Sequence, residues 1–241
     1  MIGEVTALYR YPVKSMRGER VGRADLGWHG LEGDRRLALR RLDDRGGFPW
    51  LTASRFPELI LYAPHRLEPA GGEALPTHIR TPEGQDLPLF GQELVGEVAR
   101  RHGAEVEMMH LSRGIFDEAS VSVISSATVG ELARLSAQPA DARRFRPNLV
   151  IAPVDSRPFL EDDWVGGTLW FGENGEGASV AVTNFDVRCA MVNLDPDSAR
   201  ANPEVLKVIV RERNNRAGVY GTVTRCGPIA VGQPVHFEPR A

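Results

Sequence analysis

Short apolar runs rich in β-branched residues recur along the chain, separated by clusters of Gly, Pro and Asp. Such runs, bounded by turn-forming residues, are typical of the strands of a β-barrel or β-sandwich. The runs cover residues 4–9, 37–42, 59–62, 106–111, 121–124, 149–152, 169–171, 180–183 and 219–224. The pattern therefore predicts a mainly β (α+β) fold with a few helices.

Three segments carry helical signals instead. Thr128, three residues before Glu131, has the spacing of a capping box and predicts a helix start. Asn202 followed by Pro203 predicts an N-cap with proline at the first helical position. The amphipathic run 93–102 predicts a third helix, which closes the first half of the chain.

The length of 241 residues allows one large domain or two smaller ones. Residues 64–84, rich in Pro, Gly and Glu, are predicted to form loops around a short strand. A change of pattern between residues 91 and 114 suggests a boundary there. We therefore predict two β-units, residues 1–114 and residues 115–241.

Composition narrows the class of protein. With 42% hydrophobic and 25% charged residues, the chain has the make-up of an ordinary soluble globular protein. The net charge of -3 argues against nucleic acid as a partner, and no apolar run approaches the roughly 20 residues that span a bilayer. Two cysteines and the absence of a signal peptide make a reducing cytoplasm the expected location.

Common nucleotide and hydrolase motifs are absent from the sequence. There is no Gly-x-Gly-x-x-Gly, Walker A, His-Glu-x-x-His or Gly-x-Ser-x-Gly pattern. The chemistry must therefore come from a thiol and scattered cations.

Cys189 is the candidate thiol, because it follows Arg188 directly. A neighbouring guanidinium favours the thiolate, the form that acts as a nucleophile or binds a soft metal. The alternative is a buried, unreactive cysteine at the end of a strand. Cys226, next to Gly227 and Pro228, is expected to lie in a turn with no chemical role.

Lys14 is the candidate cation. Lysine occurs only at positions 14 and 207, against 27 arginines (29 basic residues minus two). Because the two cations bind anions differently, a site that keeps lysine in so arginine-rich a chain is expected to need an ammonium group.

Several short motifs, in this order along the chain, resemble those of MOSC-domain proteins, in particular the branch containing the mitochondrial amidoxime-reducing component. They are Tyr11-Pro-Val-Lys-Ser15, Gly33-Asp-Arg-Arg36, Leu51-Thr-Ala-Ser-Arg-Phe-Pro57, Phe145-Arg-Pro-Asn148, Glu161-Asp-Asp-Trp164 and Arg188-Cys189 with Asp195-Pro-Asp197. The resemblance runs from about residue 2 to residue 237. It implies an N-terminal MOSC β-barrel domain followed by a MOSC β-barrel domain.

The resemblance also implies a ligand, molybdenum cofactor, whose metal and phosphate need one thiolate and several cations. Cys189 would bind molybdenum, and the cofactor would be held by Lys14, Ser15, Arg35, Arg146, Asn148 and Arg188. Arg35 is preferred over its neighbour Arg36. Of the arginines at 143, 144 and 146, only Arg146 lies in the motif, and Pro147 is expected to keep it extended.

Other motif residues are expected to be structural. Trp164 should pack the barrel, and Asp195-Pro196-Asp197 should form a turn after the metal-binding loop. The loop from Asp117 to Ser120 departs from the Thr and Ser pattern of relatives, so no cofactor contact is assigned to it.

The activity implied by the resemblance is reduction of N-hydroxylated small molecules such as amidoximes, hydroxamic acids or hydroxylated bases. Molybdenum would accept the oxygen atom, and two electrons would come from a separate reductase, because the sequence has no flavin, haem or iron–sulfur motif. The alternative is a sulfur or cofactor carrier that uses Cys189 without redox turnover. A third possibility is a β-barrel binding module without catalysis.

Overall fold

The computed structural model describes residues 1–67, 75–112, 114–173 and 177–240. Sixteen strands and three α-helices are assigned within these residues. The strands of the first half are β1 (Gly3–Arg10), β2 (Glu19–Val21), β3 (Arg23–Gly27), β4 (Gly30–Leu31), β5 (Leu37–Arg41), β6 (Ala63–His65), β7 (His78–Arg80), β8 (Asp86–Pro88) and β9 (Val106–His110). Those of the second half are β10 (Val121–Ser125), β11 (Leu149–Pro153), β12 (Thr168–Phe171), β13 (Ser179–Val187), β14 (Arg216–Arg225), β15 (Gly227–Ala230) and β16 (Pro234–Glu238). The helices are α1 (Gln92–His102), α2 (Ser126–Ser136) and α3 (Glu204–Arg213).

The largest sheet is a closed barrel. Its seven strands run in the order β11-β10-β14-β13-β12-β16-β1, and pairing of β1 with β11 closes the ring. Only β10 and β11 pair in parallel, across the connection that contains α2. Apolar side chains from alternate strand positions fill the barrel, and Trp164 packs among them as expected. The prediction of a mainly β fold is therefore confirmed.

The closing strand comes from the predicted first unit. Gly3 of β1 pairs with both Pro153 of β11 and Val235 of β16, so the barrel contains more than residues 115–241. Strand β2 pairs with β1, and β3 and β4 form a small sheet with β15 of the second half. The rest of the first half forms a β5-β9 pair and a β6-β7-β8 sheet, with a separate apolar core that includes α1. The division after residue 114 itself stays a prediction.

The run 59–62 does not form the predicted strand. It lies in a 3-10 helix, Pro57–Leu61, with proline near its first position. Proline fixes φ near the helical value and lacks an N–H for a sheet ladder, so the turn overrides the β preference of Leu59 and Ile60. Both side chains are buried all the same.

Helix starts differ slightly from those predicted. The Ser125 side chain, not Thr128, caps α2, because its hydroxyl accepts from the Thr128 N–H at 3.0 Å. Helix α3 begins at Glu204, and the Asn202 side chain accepts from the Glu204 N–H at 3.1 Å. Helix α1 covers the predicted run 93–102.

The segment predicted as loops around one short strand, residues 64–84, contains strand residues of both β6 and β7. These strands pair with each other, and β7 pairs with β8. The part of this prediction that falls on residues 68–74 lies outside the described residues.

Glu161 joins α2 to the 3-10 helix Leu160–Trp164. Its fully buried carboxylate accepts from the Ser125 N–H at 3.2 Å and from the Thr128 hydroxyl at 2.8 Å, while burial raises its pKa. We expect Glu161→Ala to lower the free energy of unfolding by about 1–3 kcal/mol, because two buried donors lose their acceptor. Urea denaturation measures the loss, and Glu131→Ala, which breaks only an exposed pair with Arg134, is the control. Equal midpoints for the two variants would contradict this role.

Candidate functional site

A cleft of about 280 Å³ brings together residues from distant parts of the chain. The turn after β1 contributes Lys14 and Ser15, the loop after β4 contributes Arg35, and the loop before β11 contributes Arg146. Arg188 and Cys189 enter from the end of β13. Six of the seven predicted site residues therefore line one cleft, and Arg35 rather than Arg36 is the arginine of its pair that does so.

Three of these residues have strained backbones. Ser15, Arg35 and Arg146 have φ angles of 65°, 49° and 50°, in the left-handed region that side chains other than glycine rarely adopt. The expected extended backbone at Arg146 is therefore wrong. Arg146 ends the 3-10 helix Ala142–Phe145, and its N–H donates to the Arg143 carbonyl at 3.1 Å. Clustered strain of this kind is typical of functional sites.

Lys14 is a buried ammonium held against a carboxylate. Its Nζ donates to Asp117 Oδ1 at 2.7 Å and lies 5.4 Å from the centroid of the Phe48 ring. Burial lowers the pKa of Lys14 more than the neighbouring Asp117 raises it, and Arg35 and Arg146 lower it further. Burial alone would raise the pKa of Asp117, but Lys14 and the two arginines outweigh it, and the net shift is downward.

Arg35 is fixed by protein groups. It forms an ion pair with buried Asp34 and donates to Asn148 Oδ1 at 3.3 Å and to the Arg146 carbonyl at 3.0 Å. Its guanidinium carbon lies 5.0 Å from the centroid of the Tyr11 ring. Asn148 is fully buried and lies outside the residues lining the cleft. Its predicted hydrogen bond to a ligand therefore stays a prediction, while its observed contact orients Arg35.

Arg146 has no comparable acidic partner. Its Nη1 donates to the Met16 carbonyl at 2.8 Å, and its guanidinium carbon lies 4.2 Å above the Tyr11 ring. Within the described part of the chain, no carboxylate forms an ion pair with it. Burial lowers the pKa of Arg146 to about 10, with Arg35 adding to this effect. An anion at this point would offset that cost.

Arg188 is directed largely into the protein. It donates to the carbonyls of Ala217 and Phe145, each at 2.7 Å. Its Nη2 lies 2.8 Å from Asp186 Oδ2, a close ionic contact without the alignment of a hydrogen bond. Asp186 is buried and accepts from the Ser122 hydroxyl at 3.0 Å, and burial, opposed by Arg188, raises its pKa to about 6.

Cys189 presents an exposed thiol. It is the residue before the 3-10 helix Ala190–Asn193 and lies beside the cleft-lining residues Arg188 and Val187. The alternative of a buried cysteine is therefore wrong, because β13 ends before Cys189 and the chain turns at the surface. Cys226 is also exposed, but it lies between β14 and β15, outside the cleft.

The cleft also contains residues that the sequence analysis did not select. Arg144, which lies outside the quoted motif, is buried, lines the cleft and donates to Asp195 Oδ2 at 2.9 Å. Asp195 also accepts from the N–H groups of Asp197 and Ser198, as expected of a turn. The remaining unselected lining residues include Phe48, Thr52, Ser54, Asp117, Glu118, Asp186 and Tyr220. Thr52 and Ser54 lie in a quoted motif and could have been found from it.

The described part of the chain contains neither a cluster of metal-ligating side chains nor a membrane-spanning helix. No group of three or more His, Cys, Asp or Glu side chains is arranged to hold a metal ion. Among the described helices, none is both long and apolar enough to cross a bilayer.

Solved structures of other proteins are similar to this fold to different degrees. The YUAD protein from Bacillus subtilis is 14% identical, with a TM-score of 0.55, over 100% of this chain and 98% of that chain. YiiM from Geobacillus stearothermophilus is 20% identical with a TM-score of 0.39, over 50% of this chain and 55% of that one. At these identities the first comparison shows a shared fold alone. No curated protein sequence matches the chain significantly.

Matches to two family profiles assign the chain to a protein family. The profile described as MOSC N-terminal beta barrel domain matches residues 2–121, and that described as MOSC domain matches residues 98–236. The second match covers more than half of the 241 residues. The chain therefore belongs to the MOSC-domain family.

Proposed function

We propose that this chain binds molybdenum cofactor in the cleft and reduces N-hydroxylated small molecules, with electrons from a separate reductase. The observation that carries the proposal is the meeting in one cleft of an exposed thiol, Cys189, and a cation without an acidic partner among the described residues, Arg146. A metal that needs one thiolate and an anionic group that needs a cation would both find a partner there.

The residues of the cleft are of the chemical types that molybdenum cofactor needs. Cys189 offers the only thiolate among the described residues of the cleft, so the remaining donors would have to come largely from the cofactor, in keeping with the lack of a three-residue metal cluster among the described residues. Arg146 offers a planar fork suited to phosphate. Ser15, a buried residue of the cleft lining, offers a hydroxyl whose only hydrogen-bond contact within the described part of the chain is a long one, 4.0 Å to the Met191 sulfur.

When bound, molybdenum supplies the oxygen-atom acceptor and the two-electron chemistry of the reaction. The chain supplies position and surroundings. Asp34 and Asn148 hold the Arg35 side chain, which donates a hydrogen bond to the backbone carbonyl of Arg146. Arg146, the arginine proposed to bind the anion, is therefore preorganised. Phe48 and Val187, exposed at the cleft, give an apolar wall on which the body of a small organic substrate can pack.

The same exposed thiol supports a second candidate function. A thiol that solvent reaches can also attack the outer sulfur of a persulfide on a donor protein. The donor S–S bond breaks, Cys189 becomes the persulfide and the donor leaves as a thiol, which suits a sulfur or cofactor carrier. A carrier would use Cys189 without turning over an N-hydroxylated substrate, so activity of metal-loaded protein separates the two functions.

The test is an assay of the protein loaded with molybdenum cofactor. We expect about one molybdenum per chain, bound as for a specific metal site. Benzamidoxime should be reduced with reduced viologen as the donor and not with NADH or NADPH alone. Metal-replete protein that reduces none of a panel of N-hydroxylated compounds would favour the carrier. Turnover driven by NADH alone would contradict the need for a reductase.

A further inference from the structure

Asp117 occupies the position at Lys14 where an anionic ligand would bind. Its Oδ1 lies 2.7 Å from Nζ, and among the described residues the only other acceptor within hydrogen-bond distance of Nζ is the Ile115 carbonyl at 3.5 Å. Both Asp117 and Lys14 line the cleft with Cys189. An external anion therefore reaches the ammonium only by taking the place of this carboxylate.

The two partners are very unequally exposed. The Lys14 side chain is 7% exposed, while that of Asp117 is 62% exposed. Lys14 cannot leave without exposing its buried stem, whereas Asp117 can turn into water, where its charge is fully hydrated. Asp117 also lies in a stretch between β9 and β10 without helix or strand, so no ladder of hydrogen bonds opposes its movement.

Further cations surround the same point. Arg35 and Arg146 both lower the pKa values of Lys14 and Asp117, so the four charges interact with one another. Arg35 is neutralised by Asp34, but Arg146 has no carboxylate among the described residues. Among these four groups, Asp117 is therefore the carboxylate left to offset both Lys14 and Arg146.

We propose that Asp117 is a resident counter-ion of Lys14 which ligands must displace, and that it thereby selects multiply charged anions such as phosphomonoesters and diphosphates over single carboxylates. A tethered carboxylate competes at high effective concentration, so a monoanion gains nothing by replacing it. An anion with two charges and several oxygens reaches Lys14 and Arg146 together. The inference rests on the proposed function in that it assumes an anionic ligand in the cleft.

Binding of inorganic pyrophosphate to the metal-free protein, measured by calorimetry, tests the proposal. We expect Asp117→Asn to bind pyrophosphate about tenfold more tightly than the unaltered chain, as for the loss of one close charge competitor. Glu118→Gln is the matched control, because it removes the same charge from the adjacent cleft residue, for which no contact with Lys14 is found. Its affinity should change by about twofold or less, the effect of a screened exposed charge.

A double-mutant cycle ties the effect to Lys14. In a Lys14→Gln background, Asp117→Asn should no longer tighten binding, because the competitor has lost its partner. Acetate should remain a weak ligand of every variant. Thermal unfolding checks that each variant is folded, and Asp117→Ala is a second variant at the same position.

Equal gains for Asp117→Asn and Glu118→Gln would overturn the proposal, since the effect would then be general charge. Failure of the Asp117 variants to bind pyrophosphate would overturn it equally. Asp117→Asn should raise the affinity for acetate by at least the factor seen for pyrophosphate, because a monoanion can then reach Lys14 without displacing a carboxylate. An acetate affinity that stays unchanged would overturn the selectivity. Because no molybdenum and no turnover enter these measurements, they can fail while the proposed reductase activity stands, and the reverse.

Discussion

Cys189→Ala is expected to leave a folded protein that has lost N-hydroxy reduction. The thiol is exposed and makes no hydrogen bond or ion pair in the described structure, so its removal leaves no buried cavity or unpaired polar group. It is, however, the only thiol in the cleft and the predicted molybdenum ligand. Loss of a metal's sole protein thiolate should lower turnover with reduced viologen by about a hundredfold or more.

Cys226→Ala is the matched control, since it removes the other exposed thiol, which lies outside the cleft. It should keep both metal content and turnover. Metal analysis and the viologen assay are run on the two variants in parallel. Full molybdenum content and turnover in Cys189→Ala would show that the ligand assignment is wrong.

Arg188→Met is expected to have the largest effect on stability. The side chain is buried, donates to two backbone carbonyls and neutralises buried Asp186. Removing one member of a buried ion pair leaves an uncompensated charge, which costs about 3–5 kcal/mol. Urea denaturation of the metal-free protein measures the loss.

The loss should depend on pH through Asp186. Its pKa in the folded chain is raised to about 6 from an ordinary value near 3.8, so the folded state binds the proton more tightly than the unfolded state. The contribution of Asp186 to stability is therefore greatest at low pH and falls as pH rises through about 6. Without Arg188 this pKa rises further, so the deficit of Arg188→Met should be larger at neutral than at acidic pH.

The double variant Arg188→Met with Asp186→Asn should recover part of the stability and lose this pH dependence. A metal-free Arg188→Met protein as stable as the parent chain would mean that Arg188 acts mainly on a ligand. Arg188 would then have the cofactor-binding role that was first predicted from its position beside Cys189.

Short motifs predicted four cations of the cleft, Lys14, Arg35, Arg146 and Arg188, but not Arg144 or the carboxylate that pairs with Lys14. Lys14 and Cys189 stand out in the sequence because lysine and cysteine are rare in it. Asp117 lies 103 positions from Lys14, in a loop that departs from the pattern of relatives. Only the folded chain brings the two together, and with them the near balance of charge in the cleft.

The backbone conformation of Arg146 and the closure of the barrel by β1 could not be predicted from the sequence either. Pro147 disfavours a right-handed helical conformation at Arg146, but the residue adopts a left-handed one because it ends a 3-10 helix. The strand pattern predicted β1 correctly without indicating its partners. Pairing partners depend on which strands share a core, and alternating hydrophobicity alone does not specify them.

Closure of the barrel by β1 has a consequence for the biosynthesis of the chain. This strand pairs with residues 149–153 and 234–235, which are translated much later than β1 itself. Part of one edge can pair early with β2, but the edge that faces β11 stays open until residue 153 has been translated, and the first residues of β1 wait for β16. Open strand edges invite pairing with other chains. The barrel can therefore be completed only after nearly all of the 241 residues have been synthesised, which makes the nascent chain dependent on whatever protects its first strand in the meantime.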